Sequence, residues 1–306
     1  MSKGQPHFDA GVWLLLGFLS LLWGGSFLFV GIAIKEIPPP VLVMARVLIA
    51  AAVLIPVHFA VIGRLPGDRR SWVNFAVLGV INNAVPFTLI TTGQTMLASG
   101  LASVINATTP LFGVALMAAA GQEPLEARKM AGIMVGIAGV VMLKCESLFG
   151  VGTQGLGIAC ALGAAFCYGL SSLWAKLRLK GIRPLTLATG QLMCSAAVMT
   201  VIGFTAADPS VLLHVSTTSW LAVLGLALLA TSLAYLVFFR IIERAGPANV
   251  QLVTMMIPVS AILMGYAVLG ETLEVREILG ALIIIGALAI IDGRALQLLK
   301  PGHNAT

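Results

Sequence analysis

The chain has 306 residues, of which 59% are hydrophobic and 10% are charged, with a formal net charge of +6. A soluble domain carries roughly 25% charged residues to cover its surface, so this composition excludes water as the main solvent and makes the lipid bilayer the expected partner. The basic excess would suggest nucleic acid in a soluble protein; here the basic residues sit in short loops between apolar runs, where they set topology, and no nucleic-acid partner is expected.

Apolar runs of about 20 residues mark transmembrane helices. Ten are expected, in chain order 11–34, 39–61, 72–92, 98–120, 127–145, 154–176, 184–206, 218–240, 247–269 and 274–296. The first is too long for a signal-peptide core and lacks an A-x-A cleavage pattern, so it reads as an uncleaved span. The second opens after "KEIPPP" and closes at "GRLPGDRR", both turn and charge signals. The stretch 72–120 is too long for one span, and its weakest point, "TGQTMLASG", reads as a hairpin. Later breaks fall at "GQEPLEARK", "CESLFGVGTQG", "RLKGIRP", "AADPS" and "ERAGP". Strands are excluded, since period-two alternation is absent and the runs are too long for barrel strands.

Orientation follows from Lys and Arg. With both termini in the cytoplasm, fourteen basic residues fall on the cytoplasmic side, among them Arg64, Arg69, Arg70, Arg128, Lys129 and Arg183. Only Lys35, Lys144 and Arg276 fall outside, and Arg46 lies within a span, which is a strong positive-inside bias. Cys145, Cys160, Cys167 and Cys194 show no metal-ligand or redox spacing and read as small hydrophobes. No metal site and no cofactor are expected.

The chain also repeats itself. "TTPLFGVALMAAAGQEPLEARKMAG" (108–132) returns 148 positions later as "MIPVSAILMGYAVLGETLEVREILG" (256–280), with seven identities including Pro110/Pro258, Glu123/Glu271 and Gly132/Gly280. "LWGGSF" matches "CYGLSS", "PPVLVMAR" matches "PLTLATGQ", and "SWVNFAVLG" matches "SWLAVLG" with a small gap. The unit therefore holds five spans, residues 1–150 and then 151–306. Five is odd, so the second copy enters the membrane the opposite way round. The expected fold is an all-α integral membrane protein, ten transmembrane helices arranged as two inverted five-helix repeats around a central cavity. Inverted repeats about a midplane site are the architecture of secondary transporters.

The segments "WGGSFLFVGIAIKEIPPPVLVMAR", "ASGLASVINATTPLFGVALMAAAGQEPLEARKMAGIMVGIAGVVML" and "AGPANVQLVTMMIPVSAILMGYAVLGETLEVREILGALIIIGALAII" carry a pattern of small-residue helix, central Pro, Gly-Glu turn and Gly-rich last helix. Over nearly its whole length the chain resembles the EamA family of the drug/metabolite transporter superfamily. "GETLEVREILG" fits closely, whereas Gln122 separates Gly121 from Glu123 in the first copy. The resemblance implies a ten-helix inner-membrane exporter of small metabolites, most like the branch exporting aromatic amino acids, acting on a small-molecule substrate; it leaves the oligomeric state open.

Several residues then stand out. Pro110 and Pro258 remove backbone hydrogen bonds mid-span and are read as hinges or cavity-lining kinks. Glu123, Glu126, Glu271 and Glu274 precede spans five and ten, where a helix dipole favours a carboxylate. Gly132, Gly136 and Gly139 form one small-residue face, a packing seam within or between monomers. Arg46 is the one basic residue well inside a span; it would hold a substrate carboxylate or snorkel to hydrogen-bond helix ends. Its repeat partner, Gln191, is neutral. Trp23, Asn82, Asn83, Asn106, Tyr168, Tyr235 and Gln251 supply uncharged polar and aromatic groups near the midplane, and with Arg46 they form the candidate substrate site. The Asn82-Asn83 pair is the most pointed, since two adjacent amides cannot both face lipid cheaply.

All twelve acidic residues lie in loops or near span ends. Proton-coupled transporters carry a buried Asp, Glu or His relay, and the only in-span histidine is His58, near the cytoplasmic end of span two. Facilitated export by alternating access is therefore expected rather than carboxylate-coupled antiport. No HExxH, GxSxG or GxxxxGK[ST] motif is present, so neither enzyme chemistry nor direct ATP drive is expected. Multidrug or other small-metabolite efflux is the alternative; the first span lacks the midplane Glu that small drug pumps of the superfamily use.

Overall fold

The computed structural model describes residues 10–124, 126–143, 153–246 and 250–292. Those residues contain helices and turns and no strand. The helices are α1 (Ala10–Ala33), α2 (Pro39–Val61), α3 (Arg69–Gln94), α4 (Ser99–Ala119) and α5 (Ala127–Leu143). They continue as α6 (Thr153–Arg178), α7 (Pro184–Ala206), α8 (Thr217–Ala245), α9 (Val253–Leu269) and α10 (Val275–Asp292). Among the described residues seven, α1 to α4 and α6 to α8, are long and apolar enough to cross a membrane, and α9 is a shorter apolar helix. At 17 residues α5 is short, and α10 carries Arg276, Glu277 and Asp292 at its ends. The outer limits expected for spans five, nine and ten (144–145, 247–249 and 293–296) lie outside the described residues, as does Cys145.

Helix ends follow local chemistry. The start of α3 falls three residues before the expected position 72 because Asp68 caps it, accepting from the Ser71 backbone N–H at 2.8 Å. Ser216 does the same for α8 through the Ser219 N–H at 3.2 Å. The tryptophan after each capped serine then donates to a carbonyl of the preceding loop: Trp72 Nε1 to Pro66 at 2.8 Å and Trp220 Nε1 to Leu212 at 3.1 Å. Pro39 and Pro184 open α2 and α7, where the missing N–H costs nothing. Gly121 and Gly270 turn the chain after α4 and α9 with φ of 65° and 68°, a left-handed conformation that favours glycine. The extra Gln122 displaces Glu123 by one residue but leaves the glycine turn in place.

Packing pairs helices from the two halves of the chain. α2 lies on α7 and α5 on α10; α1 lies on α9 as α4 lies on α6; α3 lies on α6 as α8 lies on α1. Two glycines allow close approaches in these pairs. A Cβ on Gly24 would sit 3.0 Å from the Ala261 backbone nitrogen, and one on Gly169 would sit 2.9 Å from that of Gly113. The Gly132/Gly136/Gly139 face packs inside the chain: Gly132 and Gly139 meet α10 at Ala287 and Gly280, and Gly136 meets Leu111.

Three helices widen into π turns: Val80–Ala84 in α3, Gly225–Leu233 in α8 and Gly265–Leu269 in α9. In α8 the hydroxyls of Thr231 and Ser232 donate to the carbonyls five residues back, Leu226 at 2.8 Å and Ala227 at 3.0 Å. π turns inside α-helices are frequent at functional sites.

Candidate functional site

A cavity of about 330 Å³ lies inside the bundle, lined from α1, α2, α3, α4, α6, α7, α8 and α9. Small-molecule pockets run from roughly 300 to 1,000 Å³, so this one suits a small solute. Trp23, Arg46, Asn82, Asn106, Tyr168, Tyr235 and Gln251 all line it. Asn83, expected beside them, does not: it is fully buried behind the wall and takes part through Tyr235, whose hydroxyl donates to Asn83 Oδ1 at 3.0 Å.

One hydrogen-bonded chain fixes the polar wall. Ser171 Oγ donates to Asn82 Oδ1 at 2.8 Å, and Asn82 Nδ2 donates to Gln191 Oε1 at 3.1 Å. Gln191 Nε2 donates to the Tyr235 hydroxyl at 3.3 Å. Each member sets the next, and α3, α6, α7 and α8 are thereby tied at cavity depth. A second wall is aromatic. Trp23 lies 5.5 Å from Phe238, Phe238 lies 5.6 Å from Phe239, and Tyr235 stacks on Phe239 at 6.0 Å.

Arg46 is only 6% exposed, so it does not snorkel. Its Nε donates to Thr231 Oγ1 at 2.9 Å, in the π turn of α8. Its guanidinium carbon lies 3.6 Å from the centre of the Phe87 ring, a cation–π contact that partly replaces hydration. Among the described residues no carboxylate pairs with it and no hydrogen bond uses its Nη1 or Nη2. Gln191, its repeat partner, reaches in the same way into the π turn of α3. The two positions are thus placed alike and differ in charge.

Asn106 and Gln251 stand at backbone discontinuities. The chain turns at Ala107 and Thr108 within α4, and at Gln251 and Leu252 just before Val253. Unwound backbone lining an internal cavity is how transporters present polar groups at depth. Pro110 follows the break in α4 as the second residue of its distal segment, whereas Pro258 lies buried inside continuous α9. The two prolines are therefore not placed alike.

The acidic residues lie at the ends of the bundle. Glu271 accepts from the Ser99 N–H at 2.9 Å, the Ser99 hydroxyl at 2.6 Å and the Gly100 N–H at 3.3 Å. It caps α4, not the α10 that follows it. Glu123, its repeat partner, instead pairs with Lys176 at 2.8 Å and Lys129 at 3.4 Å, and the Lys176 hydrogen bond holds its carboxyl below the ordinary range. Glu274 begins α10, with Glu277 reaching back to its N–H at 2.9 Å, half of a capping box. His58 is fully buried, 3.0 Å from Thr186 Oγ1, and away from the cavity. No His/Cys/Asp/Glu cluster fit for a metal occurs among the described residues.

The residues that sequence reasoning missed are Phe87, Thr231, Phe238 and Phe239. Tyr235, Phe238 and Phe239 stand at i, i+3 and i+4, one helical face, so that spacing could have found them. Nothing local joins Arg46 to Phe87 or Thr231.

A helical membrane protein with a small, mainly neutral cavity reached by eight of its helices is a membrane transporter for small molecules. The EamA-like transporter family matches residues 11–145 and again residues 155–292; the chain belongs to that family. It is 28% identical over 292 residues to the uncharacterized inner membrane transporter YedA of Escherichia coli, covering 92% of this chain and 91% of that protein. It is 28% identical over 295 residues to a protein of Salmonella typhimurium named "Probable amino-acid metabolite efflux pump", covering 90% and 93%. With the uncharacterized transporter YoaV of Bacillus subtilis it shares 24% over 279 residues, covering 89% and 94%. A solved crystal structure, 20% identical, superposes with a TM-score of 0.66 over 93% of this chain and 97% of that one, a likeness of fold.

Proposed function

We propose that this transporter exports amino acids, aromatic and other neutral ones foremost, across the inner membrane by alternating access. The observation that carries the reading is Arg46: a guanidinium held at cavity depth with no carboxylate partner among the described residues, facing a wall of Trp23, Tyr235, Phe238 and Phe239. Arginine binds carboxylates through paired N–H groups, and the aromatic wall suits an apolar side chain. The name of the Salmonella relative supports the same class.

The architecture proposed is ten spans in two inverted halves, 1–150 and 151–306, with both termini cytoplasmic. Its support is the two-fold regularity of the packing: α2 on α7, α5 on α10, and Gly24 on α9 as Gly169 on α4. The paired Trp72 and Trp220 loop contacts and the π turns of α3 and α8 follow the same exchange. That no acidic residue among the described residues lines the cavity supports facilitated movement. Pro110 and Pro258 are proposed hinges, Pro110 beside the unwound stretch at Ala107 and Thr108.

The test is counterflow in proteoliposomes preloaded with unlabelled amino acids and offered labelled Phe, Thr, Met or Glu, with a cationic dye in parallel. Exchange of neutral amino acids without a pH gradient is expected. Gradient-dependent dye movement with no amino-acid exchange would place the protein with multidrug efflux instead.

A further inference from the structure

Charge in the cavity is unbalanced. Among the described residues Arg46 is the only charged group that lines it, and no Asp or Glu does. The guanidinium stays protonated under all ordinary conditions. Its Nε is used by Thr231 and its face by Phe87, which leaves both Nη groups for a solute. A zwitterion would satisfy them with its carboxylate but would bring its ammonium within a few ångströms of the same guanidinium. Among the described residues no carboxylate stands opposite to neutralise that ammonium. The buried unpartnered acceptor of the lining, Asn106 Oδ1, is neutral and could hydrogen-bond an ammonium without balancing its charge. A monoanion neutralises the site; a zwitterion leaves it at +1; a cation raises it to +2. In a medium of low dielectric these differences are large.

Resting on the transporter reading above and refining its substrate class, we infer that the cavity, while admitting zwitterionic amino acids, favours a net monoanion: an amino-acid-like carboxylate with an aromatic or apolar body whose amine is absent or acylated. Such a solute also removes the need for a coupling ion. One negative charge moves outward down an interior-negative potential, and 100 mV drives it about 50-fold. This is consistent with a cavity that contains no proton-relay carboxylate and with a buried His58 that does not line it.

The experiment uses the full-length protein in proteoliposomes with potassium diffusion potentials set by valinomycin. Efflux of preloaded labelled phenyllactate, N-acetylphenylalanine and phenylalanine is followed at zero and at interior-negative potential. Phenyllactate and N-acetylphenylalanine should compete at least tenfold better than phenylalanine in counterflow, and phenethylamine should not compete. Interior-negative potential should accelerate efflux of the two anions and leave phenylalanine efflux unchanged. Arg46→Lys, which keeps the charge, should retain the anion preference with weaker binding, and Arg46→Gln should lose that preference, while any anion efflux that remains still responds to potential because the solute carries the charge. Phenylalanine competing as well as the anions, with efflux blind to potential, would overturn the monoanion assignment and leave amino-acid export standing. No exchange of any of the three would overturn both.

Discussion

Glu271 and Glu123 occupy equivalent positions in the repeat, yet replacing each by alanine should have unequal consequences. Glu271→Ala deletes three hydrogen bonds to the start of α4, two of them from backbone N–H groups. Hydrogen bonds to a charged acceptor contribute about 1.5–3 kcal/mol each. Glu271 is half-buried, so solvent screening reduces the sum to about 2–3 kcal/mol. Glu123→Ala removes two ion pairs from a side chain 41% exposed, where such pairs contribute about 0–1 kcal/mol. At roughly 2–4 °C per kcal/mol, thermal unfolding in detergent should fall by roughly 5–10 °C for Glu271→Ala and by less than about 4 °C for Glu123→Ala. Glu271→Gln, which keeps one acceptor, should lie between. Equal shifts for the two alanine variants would refute the reasoning, because they would mean that the helix cap adds nothing to a surface ion pair.

Gly24→Ala and Gly169→Ala should each cost about 1–3 kcal/mol by overpacking, since the new Cβ meets backbone atoms at 3.0 and 2.9 Å; Gly286→Ala, with nothing within 4 Å, should be neutral, and unfolding midpoints check all three. The Glu36 carboxyl is held below its ordinary range by the backbone and hydroxyl of Ser216. A lowered folded-state value gives stability that is present above the ordinary carboxylate range and lost as pH falls through the lowered one. The unfolding midpoints of wild type and Glu36→Gln should therefore differ at neutral pH and converge in acid. His58→Gln should leave counterflow rates and their insensitivity to a pH gradient unchanged; a gradient-driven rate abolished by the substitution would assign His58 to proton coupling.

Much of this protein is legible in its sequence. Hydropathy marks a membrane solvent because the chain lacks enough charge to face water, and it locates helices within a few residues because each must span the same apolar thickness. The echo between 108–132 and 256–280 is visible in the sequence, whereas the close approaches of Gly24 to Ala261 and of Gly169 to Gly113 are seen only in the packed bundle. Seven of the eight candidate site residues line the cavity because a polar group buried in a span has few other places to go. The tertiary structure alone decided the rest. It turned Asn83 behind the wall, sent Glu271 across to α4, and left Arg46 over Phe87 beside Thr231 without a carboxylate. Those outcomes depend on which side chains, far apart in sequence, meet when the bundle closes. A local pattern specifies how much of a helix is apolar, but not which neighbour its one charged group will face.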